Sequence, residues 1–213
     1  MRGGLKRFQL PPIRVLCYFD DENPVHFDRI IGSRYCGFQT RIIGSGSDWP
    51  EYVKDLFYEP TGDFAFDNVI YINGRTSLGL ASTIITLAHE VQHFMQYGYS
   101  RKVWMANTLI YQLLRQGPPT QIKAWDIPSE HDAISVSKRV AEELIGAESL
   151  AAYADAQIAA QNDPEKWKFF RDLSVSTPFD LLAQTKPWVA KYREHLIGIQ
   201  QRDVDFAQGE WWN

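Results

Sequence analysis

The sequence predicts an α+β fold, with strands in the first part of the chain and helices in the rest. Three β-branched and aromatic segments (residues 13–19, 35–43 and 66–72) fall within the first eighty residues, and turn-forming residues follow them. From Ser82 onward, apolar residues recur every three or four positions, which is the period of an amphipathic helix. We therefore expect a small mixed or antiparallel N-terminal sheet followed by a mainly helical C-terminal half.

The composition indicates a single globular domain of 213 residues, strand-rich over residues 1–80 and helical over 81–213. The net charge of −4 and the lack of a basic tract argue against a nucleic-acid partner or an anionic membrane surface. We see no signal peptide and no membrane-spanning segment, so the expected location is the cytoplasm. Cys17 and Cys36 lie in strand-like segments, and we expect both to be reduced and buried.

The first predicted helix has clear boundaries and one apolar side. Ser82 or Thr83 is its expected N-cap, and Gly98 is placed to end it. The apolar stripe has six members: Ile84, Leu87, Ala88, Val91, Phe94 and Met95. Four polar residues, His89, Glu90, His93 and Gln96, lie to one side of this stripe, at a boundary between core and cleft where metal ligands are expected.

Further helices are predicted over three segments: residues 103–116, residues 129–160 with a break near Gly146, and residues 167–199 with a break at 176–178. The helix after Pro128 has the clearest start. Ser129 is its expected N-cap, and Asp132 three positions later completes a capping-box pattern. A turn is predicted at residues 162–164, where Asn and Asp precede a proline.

The strongest functional signal is the sequence H-E-x-x-H, formed by His89, Glu90 and His93. Four helical steps of about 100° bring the two histidines to nearly the same face, so both rings can bind one metal ion. Glu90 is one step from His89, within reach of a water molecule on that ion. Two neutral nitrogen ligands, an open position and a carboxylate base are what a zinc hydrolase requires. The alternative is two ordinary histidines beside an incidental glutamate.

A catalytic zinc site normally has a third protein ligand. The metzincin pattern is excluded, because Gln96 and Tyr99 stand where it requires glycine and histidine. The best candidate is Glu130, at the start of a later helix whose Ala133 would allow a close approach to the first helix. Glu130 can also be read as a first-turn carboxylate that the helix macrodipole favours.

Two other side chains near Glu130 are alternative candidates for the third ligand. Asp132 is an alternative third ligand, or an acceptor for a histidine N–H behind the site. His131 is a further alternative, although its neighbours already fit a three-ligand pattern. His26 and His195 have no motif around them, and we expect ordinary roles for both.

The two motifs together resemble those of gluzincin-type zincin metallopeptidases, in which H-E-x-x-H on one helix is joined by a glutamate from a later helix. Residues 130–133 (E-H-D-A) are similar to a short E-x-x-A pattern found in several compact bacterial members. The resemblance covers roughly residues 66–145. It implies a Zn²⁺ ion with three protein ligands: His89, His93 and Glu130.

For function, the resemblance implies hydrolysis of peptide bonds by a zinc-activated water, with Glu90 as the general base. It also implies that the strand over residues 66–72 is an edge strand to which an extended peptide substrate binds. Two alternatives stay open: a processing hydrolase for one partner protein, and a metal-binding module that recognises a protein without general proteolysis. Glu90 favours an enzyme, because a binding site alone needs no base.

Overall fold

The computed structural model describes residues 14–18, 37–40, 69–73, 79–99, 101–116, 122–175 and 179–202. Six α-helices account for most of these described residues. They are α1 (Leu80–Tyr99), α2 (Arg101–Gln116), α3 (Pro128–Ile145), α4 (Ala147–Ala159), α5 (Pro164–Asp172) and α6 (Leu181–Arg202). A short 3-10 turn, Ala124–Asp126, precedes α3.

Three short strands form a small sheet: β1 (Arg14–Tyr18), β2 (Gly37–Thr40) and β3 (Val69–Asn73). β3 lies between the other two, parallel to β1 and antiparallel to β2. Ile70 of β3 is paired with Val15 on one side and with Gln39 on the other. The prediction that this segment is an edge strand is therefore wrong, since β3 has a hydrogen-bonded neighbour on each side.

The predicted α+β class is also wrong, because the part of the chain that the structure describes is mainly helical. The three strands fall in segments whose composition favours strands, but each has only four or five residues. β-branched and aromatic residues express a local preference, whereas the extent of a sheet depends on pairing between distant segments. The helices instead pack mainly on one another.

Three apolar clusters hold the helices and the sheet together. The cluster between α2 and α6 is built from Ala106, Leu109, Ile110, Leu113, Ile127 and Leu196. The cluster among α3, α4 and α5 is built from Ile134, Ala141, Leu150, Ala154 and Phe170. A small third cluster joins Ile70 of β3 to Phe94 of α1. Among the described residues, no helix combines the length and apolar content needed to cross a bilayer.

α1 is covered by the sheet on one side and by α3 on another, and its most buried positions are largely polar. Leu87 and Val91 of the predicted stripe pack around the Ile70–Phe94 contact. Apart from Phe94, however, the stripe residues are only half-buried. The buried polar residues of α1 are Ser82, Thr86, Glu90 and Gln96. Buried polar groups need hydrogen-bond partners, so this helix is built for more than packing.

The start of α3 differs from the prediction, because Ile127 and not Ser129 is the N-cap. Pro128 occupies the first helical position, where its missing N–H costs no intrahelical bond. The Ser129 N–H donates to Oδ1 of Asn107 in α2 at 3.0 Å. Asn107 also donates to Oγ1 of Thr185 in α6 at 2.9 Å. A buried side chain from α2 therefore caps α3, which no local sequence pattern shows.

Other predicted boundaries are confirmed or corrected locally. Gly146 has a φ of 85° and separates α3 from α4, as predicted. Asp163 caps α5 by accepting from the Lys166 N–H, which confirms the predicted turn. The Thr83 hydroxyl donates to the Gly79 carbonyl at 3.0 Å, and α1 begins at Leu80, so the predicted α1 cap is wrong. The predicted break at residues 176–178 lies outside the described residues.

Candidate metal centre

α1 and α3 form the most extensive helix pair among the described elements, and they carry the two predicted motifs. His89 and His93 stand one helical turn apart on α1. Glu130 stands in the first turn of α3, and the fully buried Ala133 follows it on the same helix. A methyl side chain at this position allows two helices to approach closely. The predicted close packing of the two helices is confirmed.

The side-chain atoms of the three predicted ligands converge on one point between these helices. Nε2 of His89 lies 3.0 Å from Nε2 of His93. Oε2 of Glu130 lies 3.4 Å from His89 Nε2, and its Oε1 lies 3.5 Å from His93 Nε2. His89, His93 and Glu130 therefore form a group that can hold a metal ion.

The spacing of these atoms fits a tetrahedral ion. Zinc binds imidazole nitrogen and carboxylate oxygen at about 2.0–2.2 Å, which places neighbouring ligands of a tetrahedron roughly 3.3 Å apart. The three separations of 3.0, 3.4 and 3.5 Å bracket that value. Two imidazoles and a carboxylate are also a usual protein donor set for catalytic zinc. Other divalent ions of similar size fit the same donor set.

The convergence of these groups also calls for positive charge. A carboxylate only accepts hydrogen bonds, and an imidazole nitrogen without its proton does the same. Two such nitrogens facing each other and a carboxylate are favourable only with a proton or a metal cation among them. The side chains of His89, His93 and Glu130 are 21%, 17% and 22% exposed, so a molecule from solvent can reach the group.

Glu90 lies beside this group on α1 and is 7% exposed. Its negative charge acts on the His93 ring. Burial alone would lower the pKa of His93, but the charges of Glu130 and Glu90 and the hydrogen bond with Gln96 outweigh burial and raise the pKa above 6.5. The Glu90 carboxylate is therefore close enough for its charge to act on one of the converging side chains.

The Glu130 carboxyl has a strongly lowered pKa. Burial by itself would raise this pKa, but the charge of His93 and the hydrogen bond from His89 outweigh burial and bring it to about 2. In the absence of a metal, Glu130 is therefore ionised at all but very low pH. The Glu130 carboxylate therefore keeps the negative charge that attracts a cation at physiological pH.

These opposite shifts predict a window of pH-dependent stability in the metal-free protein. We expect the unfolding free energy lost on Glu130→Gln to be greatest between about pH 4.5 and about pH 6.5. Because the pKa of Glu130 is lowered, its contribution to stability is complete above pH 4.5 and is lost as the pH falls towards about 2. Because the pKa of His93 is raised, its contribution to stability is complete below pH 6.5 and is lost as the pH rises through the raised pKa.

Urea unfolding of both proteins below, within and above this window measures the difference. Glu148→Gln is the control, because Glu148 is an exposed carboxylate in the first turn of α4. Its effect should show no maximum within the window. A Glu130→Gln effect that does not vary with pH would mean that Glu130 and the histidines do not interact in solution.

Asp132, the alternative ligand, points into a hydrogen-bonded network instead. It is 6% exposed, and its Oδ2 accepts from Nε2 of Gln92 at 2.7 Å and from Nε2 of Gln96 at 2.8 Å. Two amide donors leave this oxygen fully used, and Asp132 is not among the converging ligand atoms. The predicted capping-box role is not seen either, since the α3 N-cap lies at Ile127.

His131 is separated from the group by one helical step. Its ring stacks on Phe179 with centroids 4.8 Å apart and meets Phe169 edge-on at 5.4 Å. Burial lowers its pKa, in spite of a hydrogen bond with the Trp125 backbone. His131 thus takes part in aromatic packing, and the structure brings Glu130, not His131, to the two histidines. His195 is exposed on α6, whereas His26 and Cys36 lie outside the described residues.

The sequence pattern placed Gln96 on the same side of α1 as the histidines, but it predicted no role for Gln96 or for Gln92. Nδ1 of His93 lies 2.9 Å from Oε1 of Gln96. Gln92 and Gln96 are three and seven residues from His89, so they share the ligand-bearing side of α1. The signal in the sequence is the repetition of amide side chains on the side of α1 that carries the histidines. In a helix that buries polar residues, this repetition indicates Gln92 and Gln96.

Comparison with known proteins adds no assignment. No protein-family model matches the chain, and no curated protein or solved structure matches it. The geometry of the described residues therefore carries the functional argument by itself.

Proposed function

We propose that this protein is a zinc-dependent hydrolase that cleaves peptide bonds at a site of the gluzincin type. His89, His93 and Glu130 would hold the ion, and Glu90 would serve as the general base. The single observation that carries the proposal is the convergence of the three ligand side chains from α1 and α3. Glu90 lies on α1 with His93, and its charge acts on the His93 ring.

Glu90 supports an enzyme over a simple metal-binding module. A site that only binds a metal needs no more than its ligands. A further buried carboxylate such as Glu90 costs free energy through desolvation, and a catalytic role explains why it is present. When bound, zinc supplies a Lewis acid that polarises a carbonyl and activates water near neutral pH. The Glu90 carboxylate accepts a proton from the attacking water and then delivers it to the leaving amine nitrogen.

Peptide bonds are the proposed substrate because of the paired motifs, H-E-x-x-H followed by E-x-x-A. The partial exposure of all three ligand side chains supports access for a macromolecular substrate. The edge strand expected over residues 66–72 does not support substrate binding, because β3 is the central strand of the described sheet. β1 and β2, which flank it, are the outer strands of that described sheet.

A direct test is cleavage of an unfolded protein by the chain in three states. Protein stripped with a chelator should be inactive, protein reconstituted with one equivalent of Zn²⁺ should cleave, and renewed chelation should abolish cleavage. A carboxymethylated protein serves as substrate, and mass spectrometry identifies the new termini. Fragments that persist after complete zinc removal would overturn the zinc-dependent mechanism.

The alternative function gives a different result in the same experiment. A module that binds a metal and a partner without proteolysis takes up stoichiometric zinc but produces no new termini. A processing enzyme for one protein also leaves a general substrate intact. With a random peptide library in place of the unfolded protein, it should cleave a subset of sequences, whereas a binding module should cleave none. Failure to bind zinc after reconstitution would contradict every reading of this site.

A further inference from the structure

Gln96 occupies an unusual position directly behind the candidate ligands. Its side chain is 3% exposed, so its polar atoms depend on protein partners and not on water. Its Oε1 lies 2.9 Å from Nδ1 of His93, one helical turn earlier on α1. Its Nε2 lies 2.8 Å from the carbonyl oxygen of Ser129 and 2.8 Å from Oδ2 of Asp132, both on α3.

These partners fix the orientation of the Gln96 amide. The Ser129 carbonyl and the Asp132 carboxylate accept hydrogen bonds, so the NH₂ group must face them. The amide oxygen is then left to face His93. Flipping the amide would set its oxygen against two acceptors and its NH₂ towards His93, which loses both contacts to α3. One buried side chain therefore has one favourable orientation.

The orientation of the amide in turn fixes the His93 ring. An amide oxygen only accepts, so Nδ1 of His93 must carry the hydrogen in this contact. In the neutral ring, Nε2 is then the unprotonated nitrogen. That atom is the one that lies 3.0 Å from His89 Nε2 and 3.5 Å from Glu130 Oε1. The ring is thus held with its lone pair directed into the ligand group.

The same amide also positions the other helix. Ser129, whose carbonyl accepts from Gln96, immediately precedes Glu130 in the first turn of α3. A single side chain therefore links the nitrogen ligand on α1 to the turn that presents the oxygen ligand on α3. Outer partners of this kind hold metal-ligating histidines in the correct tautomer and orientation.

We propose that Gln96 is the positioning residue of the metal centre. It fixes the His93 tautomer through its oxygen and the Glu130-bearing turn through its nitrogen. This proposal rests on the metal site of the proposed function, but not on hydrolysis by that site. Gln92 offers an internal comparison, because it donates to the same Asp132 oxygen at 2.7 Å, whereas no hydrogen bond from its side chain to either histidine is found among the described residues.

The test compares zinc affinity and the His93 tautomer in matched variants. Gln96→Leu should weaken zinc binding by about 10–100-fold, the usual effect of losing such a partner. The zinc affinity of Gln92→Leu, the control, should stay much closer to that of wild type. Zinc affinity is measured by competition with a chromophoric chelator. Long-range ¹H–¹⁵N NMR spectra of the metal-free, neutral ring report which nitrogen carries the proton.

We expect the proton on Nδ1 in wild type and in Gln92→Leu, and a substantial share on Nε2 in Gln96→Leu. Gln96→Met keeps the length of the side chain but removes both its acceptor and its donors. It should therefore move a share of the His93 proton to Nε2 and weaken zinc binding, as Gln96→Leu does. If Gln96→Leu does not fold, Gln96→Met decides through its tautomer, and a proton that stays on Nδ1 there counts against the proposal.

Equal losses of affinity in Gln96→Leu and Gln92→Leu, with an unchanged His93 tautomer, would overturn the proposal. Unchanged zinc affinity in Gln96→Leu would do the same. Wild-type protein that binds zinc but cleaves nothing would refute the proposed hydrolase and leave the Gln96 comparison valid. Wild-type protein that binds no zinc would refute both.

Discussion

Glu90→Gln is expected to reduce peptide hydrolysis by about 10²–10⁴-fold, which is the range for losing a general acid–base group. Glutamine keeps the size of the side chain but cannot accept a proton from water and return it to the leaving amine. Glu90 is not one of the three converging ligands, so the variant should retain one equivalent of zinc. The rate of fragment formation and the zinc content are measured on the same preparation.

Glu143→Gln is the matched control for Glu90→Gln. Glu143 is an exposed carboxylate on α3, and the same isosteric change there should leave the rate unaltered. Full activity in Glu90→Gln would contradict the assignment of the general base. Loss of zinc in Glu90→Gln would instead show that Glu90 supports the ligands, and its role in proton transfer would have to be withdrawn.

Glu130→Ala is expected to abolish most of the stabilisation that zinc gives to the fold. A ligand that binds only the folded state stabilises it by about 2.7 kcal/mol at one hundred times its dissociation constant. Removal of the third ligand weakens zinc binding, so the same free zinc concentration should give the variant little protection. Urea unfolding with and without buffered zinc measures this difference within each protein, which cancels any direct effect of the substitution on stability.

Glu148→Ala distinguishes a ligand from an ordinary first-turn carboxylate. Glu148 stands in the first turn of α4, as Glu130 stands in the first turn of α3, but it is exposed. Favourable interaction with a helix macrodipole is available to both residues. Protection by zinc should persist in Glu148→Ala. Equal zinc protection in Glu130→Ala would show that Glu130 is not the third ligand.

The sequence alone predicted the convergence of His89 and His93, because it depends on local periodicity. The four-residue spacing of His89 and His93 places both rings on one side of any α-helix. Glu130 needed one further step, namely that α3 returns to α1, and the resemblance to paired gluzincin motifs supplied it. His131 could not be excluded locally, although its single-step offset from Glu130 turns it towards Phe169 and Phe179.

The errors concern features that depend on contacts between distant segments. Ser129 has the composition of an N-cap, but Asn107, twenty-two positions earlier, supplies the capping oxygen. The central place of β3 follows from pairing with β1 and β2, which no single segment encodes. Strand-like composition likewise did not show that the strands would be only four or five residues long. The single-domain organisation and the cytoplasmic location stay predictions.

The tight polar packing around α1 explains why the missed residues matter. Gln96 on α1 and Asp132 on α3 are both buried, so each must find hydrogen-bond partners within the protein. Gln96 bonds with Asp132, the His93 ring and the Ser129 carbonyl at the start of α3, and Asp132 also accepts from Gln92. The arrangement links the packing of α1 on α3 to the geometry of the ligands, and a sequence pattern that treats each helix alone cannot show this.

X-ray absorption spectroscopy of the zinc-loaded protein tests the central claim most directly, because it reports the kinds of atoms bound to the ion and their distances from it. We expect a shell of nitrogen and oxygen atoms at about 2.0–2.2 Å that contains two imidazoles. Scattering from a thiolate at about 2.3 Å, or from more than two imidazoles, would contradict the assignment of His89, His93 and Glu130.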